Sequence, residues 1–376
     1  MGAPLRTDHP PFPMPSTPYA LTQEWRHLTF MHWEVDPQRL DPYIPEGLNL
    51  DLFEGKAYVG TIPFEMKKVR PRWLPWLPGV SNFPEFNVRL YVVKDDKPGV
   101  LFLTLDTSSR LTSAYAPRAY GLPYRLARCR FSVKGGRYAW FSQRRSDGAT
   151  LRGYANGIGE ETQATPGSLE AFLFERYSLY TVHKGSLCIG HTHHNPWRFK
   201  LAEVTLESNS LTDVYDVGIE DVLRPDMVHV SEGVRVNTWP LQLAERLAPG
   251  DDRDVLFLDG DCGLCHRLAN FIDKRLARGQ QLAYRPILSE DAQRIIATFP
   301  INMRSADSVY LIRNGKPYMR SAAGIRALLY MKWRWKMWYP VVWLVPLPLR
   351  NLVYRFIAKY RHRIFKPPTE CMFRVD

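Results

Sequence analysis

Cysteine is scarce in this chain: five occur in 376 residues, at positions 129, 188, 262, 265 and 371. They are too few and too dispersed for a disulfide scaffold, and a reducing compartment is the simpler expectation. Long apolar runs are missing as well. The best candidate, WYPVVWLVPLPL at 338 to 349, carries Pro340, Pro346 and Pro348 and falls short of the roughly 18 apolar residues a spanning helix needs. The opening stretch, MGAPLRTDHPPFPMPSTPYA, has no apolar core behind positive charge, so a secretory leader is not expected. Its Met-Gly start does not make a myristoylation signal, because Arg6 stands where Ser or Thr is wanted and Pro4 intervenes. These absences point to a cytoplasmic protein.

What is present divides unevenly. Hydrophobic residues make up 45% and charged residues 23%, the proportions of a folded globular chain long enough for two domains. The net charge is +12. From Arg253 onward there are 22 Lys and Arg against 9 Asp and Glu, whereas residues 1 to 252 hold 28 against 29. Essentially all the basicity lies in the last third, which places a boundary near QLAERLAPGDDRD. The expected domains are residues 1–245 and 253–376.

The first domain reads as β-rich. KAYVGTIPF, FNVRLYVV, VLFLTLDTSS, CRFSVKGGRYAWFSQRR and FKLAEVTLES are strand-like runs of Val, Phe, Tyr and Thr, and Gly135-Gly136 marks a hairpin. One helix is predicted over 168 to 181, capped by Ser168, with Leu169, Phe172, Leu173, Tyr177 and Tyr180 at helical spacing. A closed or strongly curved sheet is the natural inference.

The blocks WRHLTFMHWEVDPQRLDPYIPEGLNLDLFEGKAYVGTIPF, NFPEFNVRLYVV, AYAPRAYGLPYRLA, AFLFERYSLYT and HHNPW, in that order, resemble the YqjF-like uncharacterised family, whose fold is similar to that of acetoacetate decarboxylase. The resemblance implies a mostly antiparallel β barrel around a central pocket and no established reaction. The decarboxylase reaction needs a lysine amine with a depressed pKa. The matching turn here is Gly121-Leu122-Pro123-Tyr124-Arg125, with Tyr124 in the nucleophile's place, and neither Arg118 nor Arg125 can substitute for an amine. Glu85, Arg89, Arg118, Tyr124, Glu175 and His194 are therefore candidate pocket groups without Schiff-base chemistry. An arginine among them suits a small carboxylate-bearing ligand. The same charges also fit internal salt bridges. The run HTHH at 191 to 194 fits a metal ligand set or buried structural histidines.

The second domain opens on DGDCGLCH, residues 259 to 266. VLFLDG before it reads as a buried strand and LCHRLANFIDKRLARG after it as a helix, so the C-x-x-C pair sits on a strand-to-helix turn. A helix start stabilises a thiolate, which favours redox chemistry there. QLAYRPIL, SEDAQRIIATF, SVYLIRNGKPYMR and SAAGIRALLYM continue as strand, helix, hairpin and helix. That order is a thioredoxin-like α/β arrangement. Covalent haem attachment, suggested by His266 after Cys265, and a zinc set of Cys262, Cys265, His266 and Cys371 are the rival readings.

DGDCGLC with this downstream order resembles the DCC family of predicted thiol-disulfide oxidoreductases. The resemblance implies Cys262 as attacking and Cys265 as resolving thiol. Asp261 and Asp259 are candidate acid-base neighbours, Asp261 also a candidate helix cap. No proline directly precedes Ser308, where the wider superfamily carries one beside the dithiol. No cofactor or metal is expected, and the redox partner is left open. An alternative makes the chain a small-molecule binding protein whose dithiol senses redox state or is structural.

Between 321 and 366 there is no Asp or Glu, while ten Lys or Arg alternate with ten aromatic residues. Such a segment suits peripheral contact with an anionic membrane. The plainer expectation is a helix whose Leu352, Phe356 and Ile357 stripe covers a core. No nucleic-acid motif accompanies it, so nucleic acid is not expected.

Overall fold

The computed structural model describes residues 5–245, 253–260, 262–304 and 308–364, the side chains of 362–364 excepted. Asp261 and Cys371 lie outside the described residues. The chain divides into two units. One holds residues up to Leu241 apart from Lys184–Ser186, and the other holds those three and Gln242 onward.

The first unit contains β1 (Leu21–Val35), β2 (Asn49–Leu50), β3 (Ala57–Pro71), β4 (Phe83–Lys94), β5 (Lys97–Thr107), α1 (Arg110–Tyr120), β6 (Tyr124–Lys134), β7 (Arg137–Arg144) and β8 (Thr150–Gln163). It continues with α2 (Leu169–Phe174), β9 (Ser178–His183), β10 (Ser186–His194), β11 (Arg198–Asn209), α3 (Ser210–Asp213) and β12 (Met227–Thr238). The hydrogen-bonded order is β10-β9-β5-β6-β7-β8-β11-β12-β1-β3-β4-β2, and pairings of β4 with β5 and β10 with β12 bring the ladder back on itself. β5 runs parallel to β6 and β9, while the longest pairings are antiparallel.

Curvature comes from irregularities in the ladder. The β1–β3 register slips between Arg26 and Met31, and bulges of this kind bend and twist a strand. Opposite Arg26, Gly233 adopts φ +110°, and a Cβ there would sit 1.8 Å from the Trp25 carbonyl oxygen. Only glycine fits at that point. Inside, Phe30, Ile62, Phe64, Leu173, Phe174 and Val236 form a buried cluster. Each large side chain contributes about 2 to 3 kcal/mol by leaving water. A buried ion pair adds specificity, with Arg144 Nε donating to Asp106 Oδ2 at 3.1 Å and Arg144 Nη2 to Thr104 Oγ1 at 3.1 Å.

The predicted hairpin at Gly135-Gly136 is present, both glycines at positive φ between β6 and β7. The predicted helix is shorter than its periodicity suggests. Ser168 does cap it, accepting from the Ala171 N–H, but α2 ends at Phe174 and Tyr180 lies on β9. There Tyr180 pairs with Leu101 of β5 and its hydroxyl donates to the Lys97 carbonyl at 2.8 Å, partners that a longer helix would forgo. α1 was not foreseen, although Ser109 caps it and Gly121, at φ 65°, stops it.

The second unit contains β13 (Gln242–Leu243), β14 (Asp254–Leu258), α4 (Gly263–Asp273), β15 (Leu282–Pro286), α5 (Glu290–Ala297), α6 (Ile301–Arg304), β16 (Tyr310–Arg313) and β17 (Lys316–Met319). The helices α7 (Ser321–Ala327), α8 (Trp333–Lys336), α9 (Trp338–Leu344) and α10 (Leu347–Ile364) follow. The four-stranded sheet has the order β15-β14-β16-β17; β15 is parallel to β14, and β16 and β17 are antiparallel to their neighbours. Alternation along β14 feeds two cores. Leu256 and Leu258 join the cluster that holds Cys262, Cys265, Ala323 and Tyr330, whereas Val255 and Phe257 join Ala292, Ile295 and Phe299. The turn at Asn314-Gly315 has both residues at positive φ, as a tight hairpin requires. Ser289 caps α5 by accepting from the Ala292 N–H at 3.3 Å.

The stripe expected to bury α10 faces the other way. Leu352, Phe356 and Ile357 are 57%, 66% and 47% exposed, and the inward face is Asn351, Tyr354 and Arg361. Each inward residue has a specific polar partner: Ser321 Oγ donates to Asn351, the Val309 N–H donates to the Tyr354 hydroxyl, and Arg361 pairs with Asp259. A half-buried carboxylate without that cation would be costly, which outweighs covering the aliphatic stripe.

Candidate functional site

The dithiol occupies the end of β14 and the first turn of α4. Cys262 is the N-cap of that helix, in extended backbone geometry at φ −101° and ψ 110°, with no side-chain cap bond. The cap position is thus held by a cysteine. Its carbonyl accepts the His266 N–H at 3.1 Å, so Cys262 lies at the positive end of the helix dipole. Cys265 follows one turn later. Both are free and buried, Cys262 at 0% and Cys265 at 3% exposure.

Charge at the site is set by burial first. The Cys265 thiol is pushed up to about 12, chiefly by desolvation, then by the neighbouring Cys262. The backbone of Asp259 and the Arg361 guanidinium pull it the other way. Arg361 Nη2 donates to Asp259 Oδ2 at 2.9 Å, so a cation and a carboxylate stand together beside the pair. The Tyr354 hydroxyl is raised by burial and is close enough to feel Cys265. His266 Nε2 sits 2.7 Å from the Gly260 carbonyl, which holds the imidazole against backbone. Among the described residues no group of three or more His, Cys, Asp or Glu is placed to hold a metal ion. Two free cysteines one helical turn apart are the arrangement that a disulfide would join with the loss of two hydrogens.

A second site is the cavity of the first unit, of about 620 Å³. Glu85 and Tyr124 reach it from β4 and β6, the two strands flanking β5; Glu85 pairs with Thr107 and Tyr124 with Leu105, two residues apart on one face. The Tyr124 hydroxyl donates to Glu85 Oε2 at 2.7 Å. Burial raises the Glu85 carboxyl to about 7, against the pull of that bond and of Asn87, and raises the Tyr124 hydroxyl too. Arg89 lines the same wall, with Nε donating to the Tyr91 hydroxyl at 3.2 Å and its guanidinium over the Phe30 ring. His194 also lines the cavity, stacked on Tyr177 at 4.7 Å and lowered in pKa by burial. Most of the remaining wall is apolar, including Trp25, Phe83, Phe102 and Leu105.

Four of the six pocket candidates thus meet at the cavity: Glu85, Arg89, Tyr124 and His194. The other two do not line it. Arg118 is on the outer turn of α1, donating to the Ala114 carbonyl at 2.8 Å, and Glu175 is spent on the Tyr177 hydroxyl and the Trp197 N–H. Sequence reasoning missed Arg176, a buried cation that lines the cavity, pairs with Asp51 and stacks over Phe172. It also missed Arg361 and Tyr354, which no local motif could link to a cysteine about a hundred residues earlier. Asp259 pairs with Arg361 beside the dithiol; Asp261 lies outside the described residues.

Comparison with known proteins finds two matches along the chain. Residues 22–235 match the DUF2071 model, described as an uncharacterized conserved protein (COG2071), and residues 256–367 match the DCC1-like thiol-disulfide oxidoreductases. The uncharacterized protein YqjF of Bacillus subtilis is 32% identical over 230 residues, covering 61% of this chain and 94% of that protein. YuxK of the same organism, also uncharacterized, is 33% identical over 118 residues, covering 31% of this chain and 85% of its own. Among solved structures, acetoacetate decarboxylase from Legionella pneumophila is similar at a TM-score of 0.44 and 13% identity, over 64% of this chain and 94% of that one.

Proposed function

This chain belongs to the DUF2071 family and carries a DCC1-like thiol-disulfide oxidoreductase region, and from that premise we propose that it performs thiol-disulfide exchange through Cys262 and Cys265. The observation that carries the reading is the pair itself: a buried cysteine at a helix N-cap and a second buried cysteine one turn later, with an Arg361–Asp259 pair alongside. We read the second unit as a thioredoxin-like module and the returning ladder of the first as a mostly antiparallel β barrel.

In the proposed reaction the Cys262 thiolate attacks one sulfur of a substrate disulfide. A Cys262–substrate S–S bond forms, the substrate's own S–S bond breaks, and the departing sulfur leaves as a thiolate. Cys265 then loses its proton to Asp259 and attacks the Cys262 sulfur, which releases the second substrate thiolate. The two released thiolates take up protons, so the substrate gains two hydrogens and the dithiol loses two. The reverse sequence oxidises a substrate dithiol. Arg361 favours the Cys265 thiolate by its charge.

The cavity of the first unit is read as a separate binding site for a small apolar carboxylic acid, its carboxylate on Arg89 and its body against Trp25, Phe83 and Phe102. A second reading of the dithiol has one observation in its favour: both sulfurs are buried, and a structural or redox-sensing pair needs no access. Trapping decides between them. In the exchange reading Cys265→Ser accumulates a mixed disulfide at Cys262 when mixed with oxidised glutathione, and Cys262→Ser does not. Equal and slow modification of both variants would support the structural reading.

A further inference from the structure

The described part of the second unit ends in three helices that, apart from Trp335 and Tyr354 packed against its core, leave most of their apolar side chains exposed. No residue of α8 or α9 is buried. Trp338 and Trp343 are each 52% exposed, Leu344 75%, Leu352 57%, Phe356 66% and Ile357 47%. An apolar surface this continuous is unusual for a folded chain and marks a contact site. Its charge is of one sign. Lys332, Arg334, Lys336, Arg355 and Lys359 are exposed among these residues, and no Asp or Glu occurs from 308 to 369.

We propose that the α8–α10 segment docks on an anionic phospholipid surface, with the tryptophans and aliphatic residues in the headgroup boundary and the cations on lipid phosphates. Charge selects this occupant over an apolar protein groove, because a cationic rim without acidic residues is complementary to anionic headgroups. It also places the segment in the interface and not across the bilayer. No single described helix is long and apolar enough to cross a membrane; the α8–α9 stretch and α10 reach that length and composition only as a pair broken by a bend of 113°. Burying Arg350, Arg355, Lys359 and Arg361 of one helix in hydrocarbon would be prohibitive. The inward face of α10 stays on Ser321, Val309 and Asp259, so docking uses only the outer face. The proposal stands apart from the redox reading.

The test is co-sedimentation of the full chain with vesicles of phosphatidylcholine alone and of phosphatidylcholine mixed with phosphatidylglycerol. Binding is expected only to the mixed vesicles, weakened by salt and released by alkaline carbonate. Replacing three cations together, Lys332→Gln, Arg334→Gln and Lys336→Gln, should lower the partition constant on the order of a hundredfold. Leu352→Glu with Phe356→Glu should abolish pelleting while leaving the melting temperature and the glutathione titration of the dithiol unchanged, since both side chains are exposed. The proposal is overturned if the wild type fails to pellet with mixed vesicles, if both variants pellet as it does, or if the bound protein resists carbonate. A stable oligomer that the double Glu variant splits would also overturn it, by showing that a second copy covers this face.

Discussion

Arg361 Nη2 donates to Asp259 Oδ2 at 2.9 Å, tying the last described helix of the chain to the loop that leads into the C-x-x-C turn. Burial pushes the Cys265 thiol up to about 12 against the pull of this cation, which favours its thiolate. Replacing Arg361 by Met should therefore act twice. It strands a mostly buried carboxylate, at a cost of about 3 kcal/mol in stability. It also moves the pH profile of dithiol alkylation to higher pH. Arg361→Lys, which keeps the charge, should restore most of the profile. An unchanged profile in Arg361→Met would remove Arg361 from the site.

The Glu85 carboxyl, raised by burial to about 7, makes the first unit's stability depend on pH in a definite direction. Between the ordinary value of 4.5 and about 7 the folded state holds a proton that the unfolded state has lost, so stability falls as pH rises through that window. The full decline is at most about 3 kcal/mol. Glu85→Gln keeps an acceptor for the Tyr124 hydroxyl and should flatten this part of the curve in chemical denaturation followed from pH 4 to 8. A curve of wild-type slope in the variant would contradict the assignment.

The cavity reading predicts that short apolar carboxylic acids raise the melting temperature of the full chain and that the matching amides do not. Arg89→Gln should abolish the shift, while Arg118→Gln, on the outer turn of α1, should leave it intact. Equal loss in both variants would argue against a carboxylate on Arg89.

Gly233 carries the closure of the β1–β12 pairing. Gly233→Ala should lose more than about 3 kcal/mol, because its Cβ meets a backbone carbonyl at 1.8 Å and its φ of +110° is open almost only to glycine. Gly136→Ala, at positive φ in an open turn with nothing within 4 Å, should cost only about 1 kcal/mol. Equilibrium denaturation of the two variants checks the ranking.

How much of this was legible in the sequence follows from the range of the interactions involved. The hairpins at Gly135-Gly136 and Asn314-Gly315 and the caps at Ser168 and Ser289 are local, and residue type alone places them. The segment 175 to 181 misled, since its helical spacing gave way to pairing with β5, a partner remote in sequence. Glu85, Arg89 and Tyr124 came from family wording and do meet; Arg176 has no such signature, because its role depends on Asp51 and on stacking over Phe172. The orientation of α10 was misread for a similar reason. Its amphipathic stripe is real, but the inward face is the one that brings Asn351, Tyr354 and Arg361 to their polar partners.

The measurement that bears most directly on the central claim is a glutathione redox titration of the full chain, read by alkylation and mass spectrometry. The account predicts that the peptide holding Cys262 and Cys265 loses two hydrogens with a single midpoint between about −300 and −120 mV. It further predicts that Cys129 and Cys188, neither of which has a second cysteine nearby in sequence, remain reduced throughout. A pair that stays reduced across the whole series, or that modifies no faster than Cys129 and Cys188, would contradict thiol-disulfide exchange.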